Sequence, residues 1–151
     1  MGTVITHSVE IDVAASVEDV FDWLTDTRNH PRWDNSSIEM DALESGPWRQ
    51  GTEFREVRRM GPRRVEVRSI VEAIDRPHSF DIASVTGPTF RGHWRLSPAG
   101  GGDRTTVRWS AEMATTGLAR VFEPMIARSF RRVCGASFAQ LEGMLEEAPS
   151  H

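Results

Sequence analysis

The strongest candidates for chemistry are charged residues in a strand-like stretch around Phe54. Side chains of a β-strand alternate between its two faces. If Phe54 points into the core, Glu56 and Arg58 point inward with it; if Val57 points inward, Arg55 does so instead. Either choice turns a charged group toward the core, where a charge needs an ionic partner or water.

These charges suggest the polar end of an otherwise apolar pocket. On the next strand, either Arg68 or Ser69 faces the same side. Glu56 with Arg58, or with Arg68, would bind the polar group of a ligand. In an enzyme, Arg68 would stabilise an enolate, and Glu56 is the second catalytic candidate. The alternative is that these side chains lie near the edge of a sheet and are solvated.

Other kinds of site find little support in the sequence. The chain has no lysine and no tyrosine, which excludes a Schiff-base lysine and a tyrosine general acid. The histidines show no metal-site spacing: His7 shares the apolar face of a strand, and His30, His78 and His93 fall in predicted loops or on an outward face. Cys134 lies on an apolar helix face and is predicted to be structural. We therefore expect neither a metal nor a cofactor.

Composition indicates a soluble globular domain. The 151 residues carry a net charge of −4, and the arginines near the middle of the chain alternate with glutamates, so we expect no nucleic-acid partner. No window is long and apolar enough for stable membrane insertion. The lone cysteine and the lack of a signal-peptide pattern predict a cytoplasmic protein. Length and the absence of a linker predict one domain, residues 1–151.

Hydrophobic periodicity predicts the elements that must position these residues. Residues spaced by two indicate seven strands, and a short helix with a second helical turn follows the first strand. A change of face near Ile70 predicts a bulge or a sharp bend in the fourth strand. The predicted strands are 3–13, 37–43, 52–59, 63–74, 79–86, 89–96 and 104–113, and the short helix is 16–26.

A long amphipathic helix, residues 117–147, closes the chain. Its apolar residues recur at steps of three and four, so one face must cover a broad apolar surface. Pro124 predicts a kink or a separate first turn near Arg120. Consecutive strands joined by short turns favour an antiparallel meander, and the helix would cover one face of it in an α+β fold.

The whole chain resembles the SRPBCC, or START-like, helix-grip superfamily, in its polyketide cyclase/dehydrase-like branch. The resemblance is carried by residues 17–26 leading to His30-Pro31-Arg32-Trp33, by residues 51–56, by residues 87–98, by the glycine-rich turn before Thr105, and by the C-terminal helix. It implies a curved antiparallel sheet of about seven strands wrapped around that helix.

The resemblance also implies a cavity between sheet and helix for a small hydrophobic, lipid- or polyketide-like molecule. The protein would be a binding module, monomeric or homodimeric; the alternative is a polyketide cyclase/aromatase-like enzyme using Arg68 and Glu56. The residues expected to line the ligand site are Trp33, Phe54, Glu56, Arg58, Arg68, Phe90, Trp94, Trp109, Phe122, Met125, Ile126 and Phe130.

Overall fold

A computed structural model describes residues 3–86, 89–115 and 121–147 of the chain. In these ranges the chain forms seven β-strands and three α-helices. The strands are β1 (Thr3–Val13), β2 (Ser37–Ala42), β3 (Glu53–Met60), β4 (Arg63–Asp75), β5 (Ser79–Thr86), β6 (Phe90–Ala99) and β7 (Arg104–Thr115); the helices are α1 (Val17–Leu24), α2 (His30–Trp33) and α3 (Glu123–Glu147).

The strands form one antiparallel sheet in the order β1-β7-β6-β5-β4-β3-β2. Six strands follow one another as a meander, and β1 pairs with β7 at the far side, with Val9 opposite Trp109. With α3 against one face, the sheet confirms the predicted α+β architecture, including the two short helices after β1. The predicted bulge in β4 is confirmed as well, because its register with β5 shifts between Val71 and Ala73.

Local sequence explains how the short helices begin. The Ser16 hydroxyl accepts a hydrogen bond from the Asp19 amide at 3.2 Å, which caps α1. Pro31 lies in the first turn of α2, where its missing N–H is not needed. The single turn of α2 therefore begins at His30, a residue predicted to lie in a loop.

Helix α3 begins later than predicted, at Glu123 rather than Gly117. Pro124 consequently lies in the first turn, where proline is tolerated, and not inside the helix. The predicted kink near Arg120 lies outside the described residues. Among the helices in the described ranges, none combines the length and the hydropathy that a membrane crossing requires.

The core lies between the sheet and the helices and is rich in aromatic side chains. Phe21 of α1 packs edge-on against Phe80 of β5 at 5.7 Å between ring centroids. Phe138 of α3 is only 3% exposed and contacts Trp33 and Trp109. Helix α3 comes closest to β1 and to α2. The helix therefore closes one side of the concave face of the sheet more tightly than the other.

Candidate functional site

The structure decides which face of β3 carries its charges into the core. Phe54 is fully buried, and Glu56, two residues further along the strand, is 6% exposed. Arg58 follows on the same face. Arg55, by contrast, is paired with Glu39 and Glu66, whose side chains are more than half exposed. Of the two choices left open by the sequence, the Phe54 choice is therefore correct.

Glu56 and Arg58 belong to a cluster of four charged side chains, which we call the quartet: His30, Asp34, Glu56 and Arg58. His30 Nε2 lies 3.2 Å from Asp34 Oδ2 and 3.1 Å from Glu56 Oε2. Arg58 Nη1 donates to the same two oxygens, at 3.1 and 3.0 Å. Helix α2 and the residue after it supply His30 and Asp34, whereas β3 supplies Glu56 and Arg58.

Burial and mutual attraction shift the pKa of every member of the quartet. Burial lowers the pKa of His30, but its hydrogen bonds to Asp34 and Glu56 and their negative charges raise it to about 9. Burial raises the pKa of both carboxyl groups. The positive charge of Arg58 and the contact with His30 nevertheless hold the pKa of Asp34 well below its usual range. The pKa of Glu56 is also lowered, mainly by the hydrogen bond from His30. At neutral pH all four groups are charged and their charges sum to zero.

Neighbouring groups tie the quartet to α3. The backbone amide of Asn35 donates to the Ser137 hydroxyl at 3.0 Å, which fastens the segment after α2 to α3. Burial foremost, together with the nearby negative charge of Asp34, raises the pKa of Cys134 to about 12. Cys134 is thus a protonated thiol beside the quartet, which agrees with its predicted structural role.

One polar group beside the quartet makes no hydrogen bond of normal geometry to the part of the chain that the structure describes. Ser37 of β2 is 7% exposed and is the register partner of Arg58. Its hydroxyl is close enough to Glu56 to contribute to the lowered pKa of that carboxyl, after the effects of burial, His30 and Arg58. Its Oγ nevertheless makes no hydrogen bond of normal geometry among the described residues.

Arg68 lies elsewhere, so the predicted pair of Glu56 with Arg68 is not formed. Arg68 stands opposite Arg55 in the register of β3 with β4, on the outer face of the sheet. Its side chain is 43% exposed and lies 3.7 Å from Glu53. The alternation of β4 explains this placement, since Val67 is the residue that faces inward opposite Glu56.

Three of the predicted ligand-lining residues, Trp33, Trp94 and Trp109, pack together in the core. Each is at most 7% exposed. The Trp33 and Trp94 rings meet edge-on at 5.7 Å between centroids, and the Phe138 ring lies tilted against the Trp109 ring at 4.9 Å. These rings fill the space under the second half of α3. We call this region the closed end.

The first half of α3 leaves the concave face more open. The Phe130 ring lies 6.4 Å from the rings of Phe90 and Trp109, measured between centroids. Despite these contacts, Phe130 is only half-buried, and so is Ile126. Phe122 is 53% exposed and Met125 is 62% exposed. The structure therefore exposes these two predicted lining residues to solvent instead of burying them under the helix.

Two cavities lined by described residues lie away from α3. One of about 260 Å³ is on the outer face near the splayed ends of β5 and β6 and includes Ile70 and Arg91 in its lining. The other, of about 630 Å³, is an open depression between the end of α1 and the loop before Trp48. Neither lining contains a residue of the quartet.

His30, Asp34 and Glu56 also form a set of groups that could hold a metal ion. Their ligand atoms lie within 4.8 Å of one another. The sequence contained a signal for part of this set, since His30 and Asp34 are four residues apart and share one face of a helical turn. This signal was not used because His30 precedes Pro31 and was predicted to lie in a loop.

Comparisons with known proteins agree with this architecture. The START superfamily protein from Mycobacterium smegmatis superposes with a TM-score of 0.76 at 15% identity, over 94% of this chain and 97% of that one. The Zhui aromatase/cyclase from Streptomyces sp. R1128 gives 0.74 at 14% identity, over 99% and 100%. The di-domain aromatase/cyclase BexL gives 0.71 at 16% identity, over 97% of this chain and 51% of that one. These similarities confirm the helix-grip fold.

No curated protein matches the sequence. A family profile described as polyketide cyclase/dehydrase and lipid transport does match, over residues 4–146. The match spans nearly all of the sheet and helices described above, including both segments that build the quartet. The chain is therefore a member of the polyketide cyclase/dehydrase and lipid transport family.

Proposed function

We propose that the protein binds a small hydrophobic molecule between the sheet and the first half of α3, with a polar group of the ligand at Arg58. The observation that carries this proposal is a strip of half-buried, inward-facing side chains that leads to the buried quartet. Its members, taken from β4, β5, β6, β7 and α3, are Val65, Val67, Ser69, Ile82, Phe90, Met113, Ile126 and Phe130.

The strip supplies the apolar contact. Val67 and Val65 stand opposite Glu56 and Arg58 in the register of β3 with β4, so they border the quartet directly. Because these side chains are only partly buried by the protein itself, a ligand would remove further apolar surface from water. Such burial contributes about 25 cal/mol per Å².

Arg58 supplies the polar contact. A guanidinium carries five N–H donors, and Arg58 makes three hydrogen bonds among the described residues, to Asp34 twice and to Glu56 once. Two donors are thus left for a ligand. The side chain is also the most exposed of the quartet, at 29%.

The charge balance of the quartet favours an uncharged ligand group. Asp34 and Glu56 already neutralise Arg58 and His30, so a carboxylate entering the site would add an unpaired buried charge. A carbonyl or hydroxyl oxygen accepts a hydrogen bond without that cost. A ketone-bearing or hydroxyl-bearing hydrophobic molecule, of polyketide or lipid type, fits this requirement.

Binding of the uncharged dye Nile red tests the proposal. We expect wild-type protein to raise the fluorescence of Nile red in a saturable titration. Val67→Trp, which fills the strip beside Glu56, should abolish the rise, whereas Glu66→Trp on the outer face should retain it. No saturable binding by the wild type, or equal loss in both variants, would contradict the proposal. Native mass spectrometry of freshly purified protein then identifies any co-purified ligand.

A second candidate function is catalysis of the polyketide cyclase/aromatase type. It is favoured by one observation: the Glu56 carboxylate, a possible base, lies 3.0 Å from the Arg58 guanidinium, which could stabilise an enolate oxygen. Arg58 would take the role predicted for Arg68. Turnover of a synthetic poly-β-ketone thioester by the wild type tests this function. Catalysis is supported if Glu56→Gln lowers the turnover at least about a hundredfold and still binds Nile red.

A further inference from the structure

We propose that His30, Asp34 and Glu56 form a binding site for a divalent transition-metal ion of the Zn²⁺ type. The three ligand atoms converge: His30 Nε2 lies 3.2 Å from Asp34 Oδ2 and 3.1 Å from Glu56 Oε2. This site shares the quartet with the proposed ligand anchor, but metal binding needs no hydrophobic ligand and is tested without one.

The spacing of these atoms suits a metal without a large rearrangement. Ligand atoms at ~2.1 Å from a tetrahedral Zn²⁺ stand roughly 3.4 Å apart. The two separations from His30 Nε2 are within a few tenths of an ångström of that value. One imidazole with two carboxylates also selects Zn²⁺ or a similar ion over Mg²⁺, which prefers oxygen ligands and retains its water.

The Ser37 hydroxyl is an independent observation that favours a bound ion at this site. It is 7% exposed, it lies beside Glu56, and it makes no hydrogen bond of normal geometry among the described residues. A buried hydroxyl without a partner is costly. A metal ion, or a water bound to it, would give this hydroxyl a partner.

Arg58 competes with the metal for the same oxygens. Its Nη1 lies 3.1 Å from Asp34 Oδ2 and 3.0 Å from Glu56 Oε2, the atoms that would coordinate the ion. Binding therefore replaces the proton on His30 Nε2, which passes to solvent, and displaces the guanidinium. The Arg58 side chain, 29% exposed, has a path outward. Removing its charge should accordingly strengthen metal binding.

Isothermal titration of the EDTA-treated, dialysed protein with ZnCl₂ tests the site. We expect one ion per chain, and His30→Gln should weaken binding at least about tenfold. Arg58→Met should instead tighten it about tenfold, a gain that loss of folding cannot produce. Mg²⁺ should bind more weakly than Zn²⁺ to every variant.

The matched control is His93→Gln. His93 also lies between two carboxylates, 3.1 Å from Asp81 and 3.3 Å from Glu112, but on the outer face, where Glu112 is half exposed. This variant should bind Zn²⁺ like the wild type. Loss of the Zn²⁺ heat in His93→Gln, or an Arg58→Met protein that binds no Zn²⁺ and shows no Zn²⁺-dependent rise in Tm, would overturn the proposal. If Arg58→Met binds Zn²⁺ and the double variant His30→Gln/Arg58→Met does not, the result would support the proposal.

Discussion

His30 and Arg58 contact the same two oxygen atoms, Asp34 Oδ2 and Glu56 Oε2, at distances between 3.0 and 3.2 Å. Each carboxylate therefore holds both cations, and neither cation depends on a single acid. This sharing allows four charges to be buried with no net charge. It also joins α2 to β3, two elements that are separated in sequence by β2.

Glu56→Gln should destabilise the protein strongly. The substitution keeps the size of the side chain but leaves His30 and Arg58 sharing one carboxylate, and breaking a buried ion pair from one side costs about 3–5 kcal/mol. Urea unfolding followed by circular dichroism measures the loss. Glu53→Gln is the control on the same strand: Glu53 lies 3.7 Å from Arg68 with both side chains more than a third exposed. That pair should contribute less than about 1 kcal/mol. Equal losses in the two variants would contradict the described faces of β3.

Stability should fall as the pH rises through the alkaline range. The pKa of His30 is raised in the folded protein to about 9, from an unfolded value of 6.5. The imidazolium therefore stabilises the fold fully below pH 6.5, and this contribution is lost as the pH rises through 9. Up to roughly 3 kcal/mol of unfolding free energy depends on this proton.

Urea unfolding at pH 6 and at pH 9.5, in the presence of EDTA, measures the difference. His30→Gln should show a smaller difference between the two pH values than the wild type. His78→Gln removes an exposed histidine and should keep the wild-type difference. A wild-type protein equally stable at both pH values would contradict a charged His30 in the folded state.

Phe138→Ala should cost far more stability than Phe122→Ala. Phe138 is 3% exposed and packs on Trp33, Trp94 and Trp109, and loss of a buried phenylalanine costs about 3–5 kcal/mol. Phe122 is 53% exposed, so its truncation should change stability by less than about 0.5 kcal/mol. Thermal unfolding followed by intrinsic tryptophan fluorescence compares the two. Similar melting temperatures would show that the closed end is not packed as described.

Much of the fold could be predicted from periodicity. β1 and β5 have the predicted bounds, and the other strands differ by one to three residues, because alternation along a strand is a local property. The bulge of β4 was predicted for the same reason. The start of α3 was not, since the apolar period continues through residues before Glu123 and cannot reveal where the first hydrogen-bonded turn forms.

The site could be predicted only in part. Alternation placed Glu56 and Arg58 on one face of β3, but only the buried position of Phe54 in the structure shows that this face points inward. Arg68 was assigned to the wrong face because its register with β3 depends on the hairpin and not on its own strand pattern. The complete set was missed because Glu56 of β3 reaches His30 and Asp34 only in the folded chain, through a long-range contact that spacing alone does not encode.

The most direct test of the central claim compares two competitors for the Nile red site that differ by one carbonyl group. Wild-type protein should bind 2-acetylnaphthalene about tenfold more tightly than 2-ethylnaphthalene, since one hydrogen bond to a charged donor contributes about 1.5–3 kcal/mol. Arg58→Met should lose this preference, and Arg68→Met, on the outer face, should keep it. A preference that is absent from the wild type, or that survives in a folded Arg58→Met protein, would contradict a ligand anchored at Arg58.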